Sequence, residues 1–131
     1  MKKIIFLCLM LLGSLYAEVI NQYPSMKILN AKTPIVDIRT PGEWKQTGIL
    51  KGAIPIMFFN ERGGYDVQGF LKELNAKVDT SKPFALICHT GNRSNMLSQF
   101  LSKELHYTVI NLLGGMAYAE AKHLPIVPYK K

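Results

Sequence analysis

The distribution of apolar residues predicts a sheet of buried strands. Four apolar runs bounded by glycine, proline or polar residues are typical of such strands, at residues 35–38, 53–59, 84–87 and 107–112. Pro55 favours an edge position for the second run, because proline cannot donate a hydrogen bond to a neighbouring strand. Residues 18–33 have no clear period, and within them residues 26–29 fit either a short strand or one helical turn.

Segments with helical spacing lie between these strands. Thr40 is a candidate N-cap, with Pro41 at the first helical position and Glu43 three residues after the cap, and Gly48 ends this short helix. Further helices are predicted at residues 67–77, 94–105 and 116–122. Strands that are apolar on both faces and alternate with helices predict an α/β fold, with a mainly parallel sheet covered on each side.

The N-terminal segment has the pattern of a secretory signal peptide. Lys2 and Lys3 precede a short apolar stretch, and Ala17 offers a small residue at a cleavage point. We expect residues 1–17 to be a signal peptide and residues 18–131 to be a single domain. The location is then periplasmic or secreted, with no stable membrane insertion after cleavage. An uncleaved N-terminal anchor is the alternative.

Composition and charge narrow the chemistry. The 131 residues, 48% apolar and 19% charged, suit one globular domain. Loss of residues 1–17 would remove two lysines and Cys8, which lowers the net charge from +7 to +5 and leaves Cys88 as the one cysteine. An unpaired thiol in an oxidising compartment is a liability unless it has a use. The basic excess suits an anionic substrate or an acidic partner, but it is spread along the chain, so we expect no nucleic-acid partner.

The segment most informative about function is residues 87–94, Ile-Cys-His-Thr-Gly-Asn-Arg-Ser. The preceding strand delivers Cys88 into a tight loop that leads into a helix. Backbone N–H groups without partners and the helix dipole favour an anion there, and so favour the thiolate over the thiol. Because the thiolate is the nucleophile, we predict that Cys88 is catalytic. The alternative is a small buried hydrophobic residue at a strand end.

The loop residues after Cys88 are the predicted substrate-binding residues: His89, Thr90, Gly91, Asn92 and Arg93. Gly91 and Asn92 are expected to supply backbone conformations with positive φ. The cation of Arg93 is unfavourable beside a helix N-terminus, which suggests that it binds an anion, either the substrate or the sulfur of the cysteine. His89 is a weak candidate for a general base, because adjacent residues that leave a strand point to opposite sides.

Other polar residues are expected to be structural. Asp37 and Arg39 should form an ion pair that organises the neighbouring loops, and Trp44 should pack in the core. His106 and His123 have no metal-ligand spacing with the cysteine, so we predict neither a metal nor a cofactor.

In their order and spacing these motifs resemble the rhodanese-like sulfurtransferase domain, over about residues 30–127. Four stretches carry the resemblance: residues 36–44, residues 48–55, the Cys-x-x-Gly-x-Arg-Ser loop at residues 88–94, and residues 109–125. Two positions depart from the family pattern. Ile49 stands where members often have histidine, and Tyr118 lies near a position that is usually tryptophan.

The resemblance implies an open, mainly parallel five-stranded sheet flanked by helices on both faces. It also implies a sulfurtransferase, in which Cys88 takes the sulfane sulfur of a donor such as thiosulfate. The resulting persulfide passes this sulfur to cyanide or a thiol acceptor. The expected partners are therefore a small anionic sulfur donor and such an acceptor, with a periplasmic protein partner left open.

Two other functions remain as alternatives. A persulfide carrier or protein-interaction module without rapid turnover would differ from the enzyme only in the speed of transfer. A phosphatase of the same fold is disfavoured, because those enzymes use a Cys-x5-Arg loop and Arg93 is the fifth residue after Cys88, one residue fewer.

Overall fold

A five-stranded parallel sheet with helices on both faces organises the chain, which confirms the predicted fold class. The computed structural model describes residues 17–130. Its strands are β1 (Val19–Gln22), β2 (Ile35–Asp37), β3 (Ile49–Leu50), β4 (Ile54–Pro55), β5 (Phe84–Ile87), β6 (Val109–Leu112) and β7 (Ile126–Val127). The sheet order is β1-β6-β5-β2-β4, with every neighbouring pair parallel. Strands β3 and β7 form a separate antiparallel pair.

The helices are α1 (Met26–Asn30), α2 (Pro41–Thr47), α3 (Val67–Lys77), α4 (Asn92–Leu105) and α5 (Gly115–Ala121). Apolar residues of α3 and α4 join one core cluster, and those of α1 and α5 join a second. Alternate residues of the central strand belong to different clusters, Leu86 and Cys88 to the first and Ala85 and Ile87 to the second. The pleat of β5 therefore separates the two layers and turns Cys88 toward the α3 and α4 side.

The apolar run at residues 53–59 is a regular strand only at Ile54–Pro55, although it lies at the sheet edge as Pro55 predicts. After the proline, the N–H groups of Ile56 and Phe58 still donate to the carbonyls of Asp37 and Ile38, at 3.0 and 3.1 Å. The run thus follows β2 beyond its regular part, which is shorter than predicted, and the edge tolerates Pro55 because the bonds to β2 use the N–H groups of its neighbours.

The segment without a clear period contains an edge strand and a short helix. Strand β1 pairs with β6, with Val19 opposite Val109. Of the two alternatives for residues 26–29, the helical one is correct. The predicted signal peptide, apart from Ala17, lies outside the described residues. Within residues 17–130, no helix combines the length and apolar character needed to cross a membrane.

A buried ion pair between Asp37 and Arg39, as expected for these residues, holds the C-terminal end of α2 against the end of β2. Arg39 Nε and Nη2 donate to Asp37 Oδ1 and Oδ2, at 3.0 and 2.8 Å, and the two side chains are 1% and 0% exposed. Arg39 also donates to Thr47 Oγ1 and to the carbonyl of Gly48, both at 2.7 Å. Trp44 is buried as expected, and its indole N–H donates to Asp37 Oδ1 at 3.2 Å. The charges are therefore paired and richly hydrogen-bonded, as burial requires.

Replacing one member of this pair should destabilise the fold severely. We expect Arg39→Met to lower the free energy of unfolding by about 3–5 kcal/mol, because it leaves the Asp37 carboxylate buried without a counter-ion. Urea denaturation at neutral pH measures this loss. The control is Lys77→Ala, which breaks the exposed pair between Lys77 and Glu73 and should cost about 0.5 kcal/mol or less. Similar losses in the two variants would contradict the prediction.

Candidate active site

Cys88 lies at the carboxyl end of the central strand, directly after β5. The chain proceeds from β2 toward one edge of the sheet and from β5 toward the other, so the strand order reverses between β2 and β5. Open α/β sheets bind ligands outside the strand ends at such a switch point. The side chain of Cys88 is 1% exposed and therefore lies at the bottom of the site at this switch point.

Two main-chain N–H groups, one at the N-cap of α4 and one in its first turn, point at the sulfur. The nitrogens of Gly91 and Ser94 lie 3.1 and 3.3 Å from Cys88 Sγ, and the Ser94 hydroxyl lies 3.4 Å from it. Gly91 is also the N-cap of α4, a helix of 14 residues. The sulfur therefore receives free N–H groups at the positive end of a helix dipole, and both stabilise a negative charge.

Glycines allow the loop to close this tightly. Gly91 has φ +105°, a region that residues with a Cβ rarely adopt. A Cβ at Gly115 would collide with the carbonyl oxygens of Cys88 and His89. This close approach lets the N–H groups of Met116 and Ala117 donate to those two carbonyls, at 2.8 and 3.0 Å. The N-terminus of α5 thus binds loop carbonyls, while the start of α4 offers N–H groups to the sulfur.

The predicted substrate-binding residues are contiguous but differ in exposure. Gly91 is buried, whereas the side chains of His89, Thr90 and Asn92 are exposed. The prediction of positive φ is confirmed for Gly91 and wrong for Asn92, which begins α4 with φ below zero. Gly91 makes the left-handed turn alone, so the next residue is free to enter the helix.

Arg93 is paired with a carboxylate of the same chain. Its Nη1 and Nη2 donate to Glu43 Oε1 and Oε2, both at 2.8 Å. Glu43 also accepts from the N–H of Thr40 at 3.3 Å, which completes the predicted capping box of α2. In this structure the anionic partner of Arg93 is therefore Glu43 and not the sulfur, and a role of Arg93 toward a substrate anion stays a prediction.

The ion pair shifts both titrations. The hydrogen bond from Arg93, opposed by burial, lowers the pKa of Glu43 from 4.5 to about 2. The same hydrogen bond raises the pKa of Arg93. Both groups are therefore charged at neutral pH, and the cation beside the loop is balanced by the carboxylate on α2.

Sequence reasoning missed a buried polar network behind the sulfur. Ser94 Oγ lies 2.7 Å from Asn111 Oδ1 and 3.2 Å from the carbonyl oxygen of Gly91. Asn111 Nδ2 donates to Asn21 Oδ1 at 3.0 Å. Ser94 is fully buried and Asn111 is 1% exposed. The available signal was a polar residue inside the apolar run 107–112, since a buried amide requires hydrogen-bond partners.

A shallow polar cleft of about 450 Å³ adjoins the loop. Amide and hydroxyl side chains dominate its wall: Asn21, Thr90, Asn92, Asn95 and Asn111. Gly91, whose N–H binds the sulfur, also lines it. The wall of the cleft therefore carries uncharged polar groups, and the cleft reaches the loop that surrounds Cys88.

Comparisons with known proteins agree with this architecture. The family model described as the rhodanese-like domain matches residues 25–122. An uncharacterized protein of Rickettsia prowazekii, RP600, is 32% identical over 94 residues, which cover 70% of this chain and 75% of that protein. The crystal structure of Rv0390 from M. tuberculosis matches with a TM-score of 0.67 at 22% identity, covering 87% of this chain and 99% of its own. A rhodanese-related protein from Thermoplasma volcanium gives 0.63 at 25% identity, covering 86% and 99%.

The ion pair between Glu43 and Arg93 should make stability depend on acidic pH. The pKa of Glu43 is lower in the folded chain, so its contribution is present above pH 4.5 and is lost as the pH falls from about 4.5 to about 2. We expect Glu43→Gln to lower the free energy of unfolding at pH 7 by about 1–2 kcal/mol, allowing for solvent screening. Urea denaturation at several pH values should show this difference shrinking through that window. A difference independent of pH would contradict the assignment.

Proposed function

Since the chain belongs to the rhodanese-like domain family, we propose that it is a sulfurtransferase with Cys88 as its nucleophile. The observation that carries the proposal is the position of Sγ, at 3.1 and 3.3 Å from the main-chain nitrogens of Gly91 and Ser94. Two N–H donors at a helix N-terminus stabilise a thiolate, which is the form that attacks a sulfane sulfur.

In the first half of the proposed reaction, the Cys88 thiolate attacks the outer sulfur of a donor such as thiosulfate. A sulfur–sulfur bond forms to Sγ, the bond within thiosulfate breaks, and sulfite leaves with that electron pair. Preorganised N–H groups can stabilise such negative charge without reorganising during the step, an effect often worth about 3 kcal/mol for one donor.

In the second half, cyanide or a thiolate acceptor attacks the outer sulfur of the persulfide. The new bond joins that sulfur to the acceptor, and Cys88 leaves as the thiolate that began the cycle. Within this proposal, the exposed residues His89, Thr90 and Asn92 border the route by which donor and acceptor reach the loop, and Gly91 and Arg93 shape it. The catalytic step requires no metal or cofactor.

The setting of this chemistry is also a proposal. The sequence pattern of residues 1–17 supports export, cleavage near Ala17 and a periplasmic or secreted domain over residues 18–131. An oxidising compartment would oxidise an exposed thiol, so a sulfur that is buried beneath a tight loop suits such a compartment.

A second candidate is a persulfide carrier or protein-interaction module without rapid turnover. An apolar groove of about 240 Å³ favours this function, because it offers a surface on which a protein could dock. Phe59, Tyr65, Met96 and Phe100 line this groove, and the side chains of Tyr65 and Met96 are 62% and 63% exposed. The carrier and the enzyme differ in the rate of the second half-reaction.

Phosphatase activity is disfavoured by the size of the loop. Arg93 follows Cys88 after four intervening residues, one fewer than in the phosphatase pattern, and its guanidinium is paired with Glu43. The N–H groups of Gly91 and Ser94 point at the sulfur itself. A phosphate ester would need donors directed at oxygens beyond the sulfur.

Replacing the sulfur should abolish transfer and leave the fold intact. We expect Cys88→Ser to gain no sulfur in its intact mass after thiosulfate treatment and to release no thiocyanate when cyanide is added. The wild type and the surface control Lys77→Ala should do both. Persulfide formation with negligible thiocyanate release by the wild type would favour the carrier. Full activity of Cys88→Ser would disprove the mechanism.

The ion pair allows a test of how donor charge is recognised. Glu43→Gln keeps a capping side chain but leaves the Arg93 cation unbalanced, whereas Arg93→Ala leaves the carboxylate unbalanced. We expect the KM for thiosulfate to fall about threefold to tenfold in Glu43→Gln and to rise by a similar factor in Arg93→Ala. Both effects should weaken with added salt. Shifts of the same sign in the two variants would show that the pair acts only through loop structure.

A further inference from the structure

We propose that Asn111 is a positioning residue that sets the direction of the Ser94 hydroxyl and thereby the ionisation of Cys88. The proposal deepens the proposed function and rests on it, because it concerns how the reactive form of the same sulfur is maintained. It assigns a role to a side chain that does not touch the sulfur and that lies on a different strand.

A continuous chain of hydrogen bonds connects the sulfur to the polar cleft. Cys88 Sγ lies 3.4 Å from Ser94 Oγ, which lies 2.7 Å from Asn111 Oδ1. Asn111 Nδ2 lies 3.0 Å from Asn21 Oδ1. The first three side chains are at most 1% exposed, whereas Asn21 is exposed and lines the cleft. The buried series of hydrogen bonds therefore ends at Asn21, an exposed amide that can reorient in solvent.

The Ser94 hydroxyl has one proton, so it can serve only one acceptor at a time. In the arrangement of this structure the thiol donates to Ser94 Oγ, and the hydroxyl donates to Asn111 Oδ1. A thiolate can only accept a hydrogen bond. When Cys88 ionises, the hydroxyl can donate to the sulfur only by turning away from Asn111 Oδ1, which then loses its donor.

An amide side chain resolves this conflict because it carries a donor and an acceptor on one planar group. A half-turn of the Asn111 amide presents Nδ2 to Ser94 Oγ and Oδ1 to Asn21. The exposed amide of Asn21 can turn in the same sense and donate in return. The network then has two fully bonded arrangements, one for the thiol and one for the thiolate, and the second strengthens the hydrogen bond from Ser94 to the sulfur.

The position of Asn111 argues against a purely structural role. It lies in β6 between Ile110 and Leu112, in a strand with all four residues buried. An apolar side chain would pack there at lower cost, since a buried amide is stable only when its hydrogen bonds are made. Asparagine is needed only if both its donor and its acceptor are used.

The charged groups around the sulfur are largely balanced in pairs. Asp37 is paired with Arg39, and in the sheet it lies opposite Ile87, the residue that precedes Cys88. Arg93 on α4 is paired with Glu43 on α2. His89 is adjacent to Cys88 in the chain and exposed, and His89→Gln serves as the control for its contribution to the alkylation profile. Besides the main-chain N–H groups, the uncharged side-chain network is thus the contact through which the ionisation of Cys88 can be tuned.

The test is the pH dependence of Cys88 alkylation by iodoacetamide, with Asn111→Leu as the main variant. Leucine keeps the approximate volume and removes the amide, so Ser94 Oγ loses the Nδ2 donor that would hold its proton toward the thiolate, while the Gly91 carbonyl still competes for that proton. We expect alkylation near neutral pH to be about tenfold slower, with the rise in rate displaced to higher pH. Asn21→Ala, at an exposed position, should slow alkylation about twofold to threefold in the same direction.

Two controls separate this role from a structural one. Asn95→Ala removes an amide that lines the same cleft and should leave the profile unchanged. In a Ser94→Ala background, Asn111→Leu should have no further effect, because Asn111 acts through the Ser94 hydroxyl. An unchanged or faster rate in folded Asn111→Leu overturns the proposal, as does its full effect persisting without Ser94. If Asn111→Leu does not fold, an unchanged profile in Asn21→Ala overturns it.

Alkylation needs no sulfur donor, so this test is independent of the sulfurtransferase assay. A wild type that alkylates as expected but releases no thiocyanate would refute the proposed function and leave the role of Asn111 intact. A wild type that transfers sulfur, together with an Asn111→Leu variant that alkylates at the normal rate, would support the proposed function and refute the role of Asn111.

Discussion

Main-chain N–H groups directed at one buried sulfur are the constraint that shapes this end of the sheet. Side-chain choice alone cannot direct them, because their direction follows from the backbone of residues 88–94. Gly91 supplies the left-handed turn, and the loop carbonyls must face away from the sulfur. The N–H groups at the start of α5 meet the second requirement by binding the carbonyls of Cys88 and His89. The N-terminus of α4 thus stabilises an anion directly, while that of α5 stabilises the loop that presents it.

Two ion pairs hold the surroundings of this loop without leaving a strong net charge. Asp37 and Arg39 fasten the end of β2 to the C-terminal end of α2, and Glu43 on α2 then binds Arg93 on α4. The short helix α2 is therefore bonded both to the end of β2 and to α4, and so it fixes the cysteine loop relative to the sheet. Because each cation is balanced, the stabilisation of the thiolate rests mainly on main-chain dipoles and on the Ser94 hydroxyl, which are fixed in direction.

The parts of the fold that follow from local chemistry could be predicted from the sequence. The capping residues Thr40 and Glu43, the edge position imposed by Pro55 and the cysteine at the end of an apolar strand depend on neighbours within a few residues. Strand β1 was missed because its pattern becomes visible only beside β6, some 90 residues along the chain. The partner of Arg93 was missed for the same reason, since Glu43 is 50 residues away in sequence. Asn111 was missed because a single buried amide shows its purpose only when its hydrogen-bond partners are known.

Charge conservation explains why such a balanced site suits the proposed chemistry. The Cys88 thiolate carries one negative charge, and so does the persulfide that replaces it. Fixed dipoles that stabilise the first species therefore also suit the second, and little reorganisation is needed between the two half-reactions. A strong unpaired cation at the loop would instead favour donors with two negative charges and retain the departing sulfite. The pairing of Arg93 with Glu43 keeps the attraction for anions moderate, which is consistent with the proposed cycle, in which Cys88 accepts a sulfur atom and releases it again.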